Sequence, residues 1–335
     1  MSESTALSAV SSQPSMALSF GEPELVTHNP LLGLGVYFND FGGYYMPPIE
    51  MSGLDTLTRA NSTHRRCINF KVNQMAIVFQ ETGLMGLRDF RRSARDLDTF
   101  GNTYLQQVTN GLGRVVGLRH LPALNMRKGK DDRFVMLRPG EEPLKFAAGE
   151  VLHAFHYDTG QSVYGLPEWI AAINDVFLNT EATLFRRRYY KNGSHLGYIL
   201  YTTDPNLSEP QRKEIEEAVR NGKGVGNFRS MYVNIPNGND KAVQIIPVGD
   251  ISQKDEFERV KNISADDIIV AHGVPPVLAG MKPDNAGGFG DIEKSEGFYR
   301  RNEVSSLVQP YLELNAQLER FKFEFDFDKP NGGGD

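Results

Sequence analysis

The run Gly222-Lys223-Gly224-Val225-Gly226 is the first place to look for chemistry, because glycine amides beside a lysine can cradle phosphate. It lacks both the Gly-x-x-x-x-Gly-Lys-Ser/Thr spacing and the third glycine of Gly-x-Gly-x-x-Gly. The segment before it patterns as helix rather than strand, so it reads as a turn. Gly193-Ser194-His195 sets a hydroxyl beside an imidazole, but sequence neighbours seldom face each other, and no Gly-x-Ser-x-Gly elbow is present. His153 and His156 lie three apart in a strand pattern, which points them to opposite faces, and no Cys pair or second His cluster completes a metal shell. Cys67 is the single cysteine, too few for an internal disulfide or a cysteine-rich zinc site. One acidic set remains. Glu324, Asp326 and Asp328 share a face by strand alternation and suit a hard cation such as Mg²⁺, the requirement of a metal-dependent phosphodiester or nucleotide enzyme. The same alternation explains them as the solvent side of a strand. Trp169, the only tryptophan, stands at a helix start and reads as a packing anchor. No nucleophile, acid–base pair or cofactor loop is complete. The expectation is therefore a protein that is not an enzyme and carries no cofactor and no resident metal.

The elements that would position these residues follow from apolar spacing. The first twenty residues hold six serines and almost no charge, and read as a flexible arm. Apolar residues recur at helical spacing from Gly53 to Phe79, which predicts a helix or helix pair, and again from Leu87 to Leu105. Arg88, Arg91, Arg92 and Arg95 along the second of these read as a solvated flank. The period then changes to two. Tyr104–Val108, Val115–Leu121, Phe134–Leu137 and Val151–Phe155 predict one antiparallel sheet, with turns such as Arg138-Pro139-Gly140 between them. After Pro167, the stripe Ile170, Ile173, Phe177 and Leu184 predicts a long helix. It ends at Asn192-Gly193 with a basic last turn of Arg186, Arg187, Arg188 and Lys191 that complements the helix dipole. A βαββ unit follows: a strand at Gly197–Tyr201, a helix capped by Ser208, and strands at Met231–Ile235 and Val243–Ile246. Helix resumes at Ser252 and stops at His272-Gly273 before Pro275-Pro276. Met281–Asp291 is too polar and glycine-rich to pack and reads as a mobile loop. A long helical pattern spans Ile292–Phe321, and Phe321, Phe323, Phe325 and Phe327 then alternate with charges as a half-buried strand.

Composition narrows the function. The 335 residues carry 36 Lys+Arg against 42 Asp+Glu, a net charge of −6, with 40% hydrophobic residues. That is a folded composition of about two domains. The acidic balance argues against a dedicated nucleic-acid binder, whose affinity comes from phosphate neutralisation, but not against DNA passing nearby. No apolar run approaches a membrane span, and the N-terminus has neither a basic n-region nor an apolar h-region, so a soluble chain without a membrane partner is expected.

Four segments, in order, resemble those of the phage portal proteins, and most closely the short portals of the P2 and PBSX type. They are Phe100-Gly101-Asn102-Thr103-Tyr104, Tyr164-Gly165-Leu166-Pro167-Glu168, Tyr190-Lys191-Asn192-Gly193, and Ser264-Ala265-Asp266-Asp267-Ile268-Ile269 with His272-Gly273-Val274-Pro275-Pro276. The resemblance implies an α+β chain in which residues 1–20 are an arm and 21–164 the first part of a wing. Residues 165–192 would be the first stem helix, 193–248 a clip, and 249–273 the second stem helix. Residues 274–291 would hold the tunnel loop, and 292–335 a long helix and terminal strand with at most a minimal crown. It also implies a homo-dodecameric ring at one vertex of the phage head, put together in the host cytoplasm and retained in the virion. Such a ring passes double-stranded DNA and works with terminase, with scaffold and major capsid proteins, and with a neck or head-completion protein. Carried onto this chain, Met281, Lys282, Asp284, Asn285, Gly287 and Gly288 face DNA, and Glu214, Glu216 and Glu217 dock terminase. Arg186, Arg187, Arg188 and Lys191 belong to the stem. A mildly acidic conduit suits this role, because a strongly cationic bore would hold phosphates rather than let them slide.

Overall fold

The computed structural model describes residues 35–83, 85–191, 198–202, 210, 213, 231–234, 243–247, 253–276, 278, 292–319 and 321–329. A short antiparallel hairpin, β1 (Phe38–Asn39) and β2 (Tyr44–Tyr45), leads into α1 (Met51–Ala60), which buries Met51, Leu54 and Leu57 at helical spacing. Asn61 ends α1 and caps α2 (Ser62–Val78), its Oδ1 accepting from the His64 amide at 2.9 Å. The expected helix pair is therefore present, and this one asparagine makes it a pair. β3 (Phe79–Gln80) follows, then α3 (Leu87–Phe100), whose Phe90, Ala94 and Leu97 are buried while Arg88, Arg91, Arg92 and Arg95 stay exposed. The helix stops five residues before Leu105, because Gly101 turns into the left-handed region at φ 69°.

The four β-runs do not make one sheet. β4 (Asn102–Thr109) pairs antiparallel with β5 (Val115–Leu121) on one side and β9 (Val151–Phe155) on the other. β6 (Met126–Lys128), β7 (Phe134–Met136) and β8 (Leu144–Phe146) form a second antiparallel sheet of their own. The physical reason lies at Pro122, which has no N–H to offer a ladder and opens the 3-10 turn Ala123–Asn125 that redirects the chain.

Beyond Pro167 a 3-10 turn, Glu168–Ala172, precedes α4 (Ile173–Lys191). β10 (Tyr198–Thr202), β11 (Met231–Asn234) and β12 (Val243–Pro247) occupy the three expected strand positions, in the order β11-β10-β12 with β10 parallel to β11. α5 (Gln253–Ala271) matches the expected helix and ends at Gly273, φ 64°. The single long helix expected from Ile292 is instead interrupted. α6 (Ile292–Tyr299) passes through a π turn at Arg300–Val304 into short pieces at Ser305–Leu307 and Gln309–Leu314. Pro310, without an N–H, sits in the first turn of the last piece. The terminal strand shrinks to β13 (Glu324–Phe325), paired with β3, although the alternation of buried Phe323 with exposed Glu324, Asp326 and Asp328 holds.

Two apolar clusters hold these elements together. One gathers α2, α3, β4, β9 and the C-terminal pieces, with Phe79 stacked on Phe90 at 4.0 Å between centroids. The other joins α1 and both sheets to Trp169, Ile173, Val176 and Ile268, so the starts of α4 and the end of α5 rest on the body. Among the described residues no helix is long and apolar enough to cross a membrane.

Candidate functional site

The segments Phe100-Gly101-Asn102 and Tyr164-Gly165-Leu166-Pro167 meet backbone to backbone. A Cβ on Gly101 would lie 2.3 Å from the Leu166 carbonyl carbon, and one on Gly165 would lie 2.2 Å from the Gly101 oxygen. Only glycine fits at either place. Asn102 closes the joint, its Nδ2 donating to the Gly165 carbonyl at 2.8 Å and its Oδ1 accepting from the Gly165 amide at 2.8 Å. The joint delivers Trp169, fully buried, to the interior, where its indole N–H donates to the Asp98 carbonyl at 2.9 Å.

Around Trp169 lies a buried polar node. Lys71 on α2 pairs with Asp98 on α3 at 2.6 Å, both side chains almost wholly buried, and lies 3.8 Å from Glu168. Burial pushes the Asp98 carboxyl up from its usual range, while Lys71 opposes that rise. His64 on α2 packs edge-on against Trp169, ring centroids 4.2 Å apart, and its Nδ1 meets Nε2 of His272 at 2.9 Å. Burial, with the Lys71 charge beside them, lowers the His64 imidazole to about 4 and that of His272 to about 2. Both rings are therefore neutral near pH 7. Cys67, one helical turn beyond His64, is covered by Ile269 and Val274, and burial pushes its thiol up to about 12.

From this node α4 and α5 project as an antiparallel pair. Asp175 near the start of α4 interacts with Asp267 near the end of α5, and Arg186 toward the end of α4 interacts with Lys261 in the middle of α5. The contact between them mixes apolar and polar groups, with Val176 and Ile268 buried alongside Asn179 and Ser264. Asn179, buried, donates to the Lys261 carbonyl at 2.9 Å and to Ser264 Oγ at 3.0 Å, and accepts from Asn61 Nδ2 at 3.0 Å. Other apolar residues face outward: Phe177 is 37% exposed, Leu178 46% and Leu184 40% on α4, and Ile263 51% and Val270 72% on α5. By helical spacing these residues lie off the buried side of each helix, so both helices present apolar side chains at the surface.

Residues 85–331 match the family model described as "Phage portal protein". The chain belongs to the phage portal protein family. The "Probable portal protein" of Haemophilus phage HP1 is 37% identical over 304 residues, 89% of this chain and 88% of the relative. That of Escherichia phage P2 is 36% identical over 303 residues, 90% and 88% of the two. Among solved structures, an HK97-family phage portal protein from Corynebacterium diphtheriae matches at TM-score 0.58 and 14% identity, covering 82% of this chain and 94% of that one. A chain in the neck of a native gene transfer agent particle, computed with C12 symmetry, also matches at 0.58 with 17% identity, covering 90% and 88%. This portal protein thus has the portal fold and its family's head–tail connector role.

Within the portal chain, Arg186 and Arg187 are exposed near the end of α4, and Arg188 and Lys191 lie in its last turns. The loop positions Met281, Lys282, Asp284, Asn285, Gly287 and Gly288, the positions Glu214, Glu216 and Glu217, and the runs at Gly193 and Gly222 all lie outside the described residues. Glu324, Asp326 and Asp328 point to solvent, and Asp328 pairs with Arg301 at 3.2 Å. Among the described residues no group of three His, Cys, Asp or Glu is placed to hold a metal ion. His153 donates from Nε2 to Asn102 Oδ1 and stacks on Tyr104, so it supports the glycine joint. The sequence reading missed the polar node. Lys71 sits between Phe70 and Val72 in a weakly amphipathic helix, and His272 reads only as a helix stop.

Proposed function

We propose that twelve copies of this portal protein close into a ring through the outer faces of α4 and α5, and that the ring is the channel for double-stranded DNA entering and leaving the head. The observation that carries this reading is the set of exposed apolar side chains on α4 and α5, left uncovered among the described residues of one protomer. Two different faces make a heterologous contact, which closes into a ring when the rotation allows. The hydrogen bonds of Asn179 fit the same arrangement, because they fix the register of the two helices. The C12 symmetry of the matched gene transfer agent neck supports twelve copies.

In this ring residues 21–164 form the wing, 165–192 and 249–273 the stem, and 193–248 the clip, where Glu214, Glu216 and Glu217 meet terminase and later the neck protein. The loop of residues 281–291 turns Lys282 toward DNA, giving weak, exchangeable phosphate contacts. Scaffold and major capsid proteins gather around the ring during assembly in the host cytoplasm, and the ring stays in the virion at the portal vertex.

Native mass spectrometry tests the ring. Twelve copies of the 37.4 kDa chain give about 450 kDa, and a wild-type chain that stays at one or two copies over a range of salts would sink the reading. Phe177→Ser with Leu184→Ser should shift the mass to small oligomers while far-UV circular dichroism and melting stay near wild type. An intact ring from that variant would move the interface elsewhere on the molecule.

A further inference from the structure

We propose that the His64–His272 contact is a proton-released latch, which holds the C-terminal end of α5 on α2 while both rings are neutral and lets that end lift away when they take up protons. Two neutral imidazoles carry one N–H each, and their shared hydrogen bond uses one of them. The outer nitrogens, His64 Nε2 and His272 Nδ1, are buried and meet no partner among the described residues. Whichever ring donates, one N–H is left without an acceptor, so the contact is already incompletely satisfied. One added proton leaves a second N–H orphaned and buries a charge. A second sets N–H against N–H.

Besides Ile268, which is buried in the second main cluster, the end of α5 is held on the α2 side by a small set of apolar contacts. Ile269 and Val274 pack with Cys67 and Phe70 in a small cluster separate from the two main ones. The chain then leaves through Gly273 in the left-handed region, with Pro275 and Pro276 just beyond. Lys71 on α2 is the charge that acts on both rings. Asp98 on α3, Glu168 at the 3-10 turn and His156 after β9 interact with Lys71, Tyr299 on the C-terminal helix interacts with Cys67, and Glu303 lies by Gly273. Lys71 acts on both histidines and in the same direction as burial, against protonation.

The sign follows from linkage. In the lifted state each ring titrates near its ordinary 6.5, and in the closed state near 4 and 2. The latch therefore has full strength above pH 6.5 and weakens as the pH falls from there toward 4. Each histidine contributes up to about tenfold per pH unit to opening, and the two together about a hundredfold.

Cys67 reports the opening, since it is the chain's only thiol and the end of α5 covers it. The full chain is reacted with dithiodipyridine between about pH 7 and pH 5, each rate normalised to that of the denatured chain at the same pH. We expect protection to fall by roughly several hundredfold over this interval in the wild type, and the slope to drop to about tenfold per unit in His272→Gln or His64→Gln. Amide exchange on the wild type needs no variant: residues 265–274 should open with falling pH while residues 102–108 of β4 stay protected. Protection of Cys67 that does not change with pH, a wild-type slope in both glutamine variants, or β4 opening in step with α5 would each overturn the latch.

Discussion

The helical body around α2 and α3 and the α4–α5 pair solve opposite packing problems with the same residue types. In the body, Phe90, Ala94 and Leu97 turn inward onto α2 and β4, and the arginines of α3 turn to solvent. In the pair, Asn179 and Ser264 turn inward beside Val176 and Ile268, while Phe177, Leu184 and Val270 stay exposed. The body is finished within one protomer. The pair leaves apolar side chains exposed among the described residues of one protomer. An apolar stripe thus states that a face will be covered, and only the fold states whether the cover comes from the same chain.

The sharpest way to break this contrast is at the root where the two regions meet. Lys71→Met leaves the Asp98 carboxylate buried without its partner, and should lower unfolding stability by about 3–5 kcal/mol in urea at neutral pH. Adding Asp98→Leu should recover most of that loss, because the buried pair is needed as a pair rather than for its own attraction. A double variant as weak as the single one would show that the carboxylate has a role beyond pairing. The next largest effect sharpens the contrast inside the pair. Asn179→Leu strips partners from Asn61 and Ser264, and should cost about 1–3 kcal/mol in protomer stability while ring mass stays unchanged. Ring loss in that variant would mean that register within the pair also sets register between copies.

The smallest effect belongs to charge on the outer faces. Glu181 on α4 and Arg259 on α5 are exposed, and the helix register places them at the same level of the pair within about one turn. Packing the α4 face of one copy on the α5 face of the next sets them against each other. Glu181→Lys should weaken assembly by about 1 kcal/mol per interface or less, most visibly at low salt in mass photometry, and Arg259→Glu in the same chain should restore it. Failure of the reversal to rescue would argue for a different angle between neighbours.

Sequence spacing made the helix pair at residues 51–78, α4, α5 and the three strands of the insert legible, because each is a local pattern ended by Asn61, Gly273 or a turn cluster. The glycine joint was legible as motif but not as contact. Nothing in Phe100-Gly101-Asn102 says that Gly165 lies against it. Two features were misread for the same reason: Pro122 splits the sheet and Pro310 interrupts the C-terminal helix, and both act by removing a single N–H from a pattern that otherwise continues. The Lys71–Asp98 pair and the His64–His272 contact were invisible, since each joins residues from separate helices and gains its meaning only from burial.

The close approach of Gly101 to Leu166 and Gly165 has a mechanical consequence. A joint made through side chains gives under load, because a rotamer can turn and absorb the displacement. Here main chain lies against main chain, clasped by two Asn102 hydrogen bonds, and no side-chain rotamer stands between them to yield. A push along α4 would then reach the body through this joint, Trp169 and the end of α3. In a ring, that stiffness makes a tilt of one helix pair a displacement of its whole subunit.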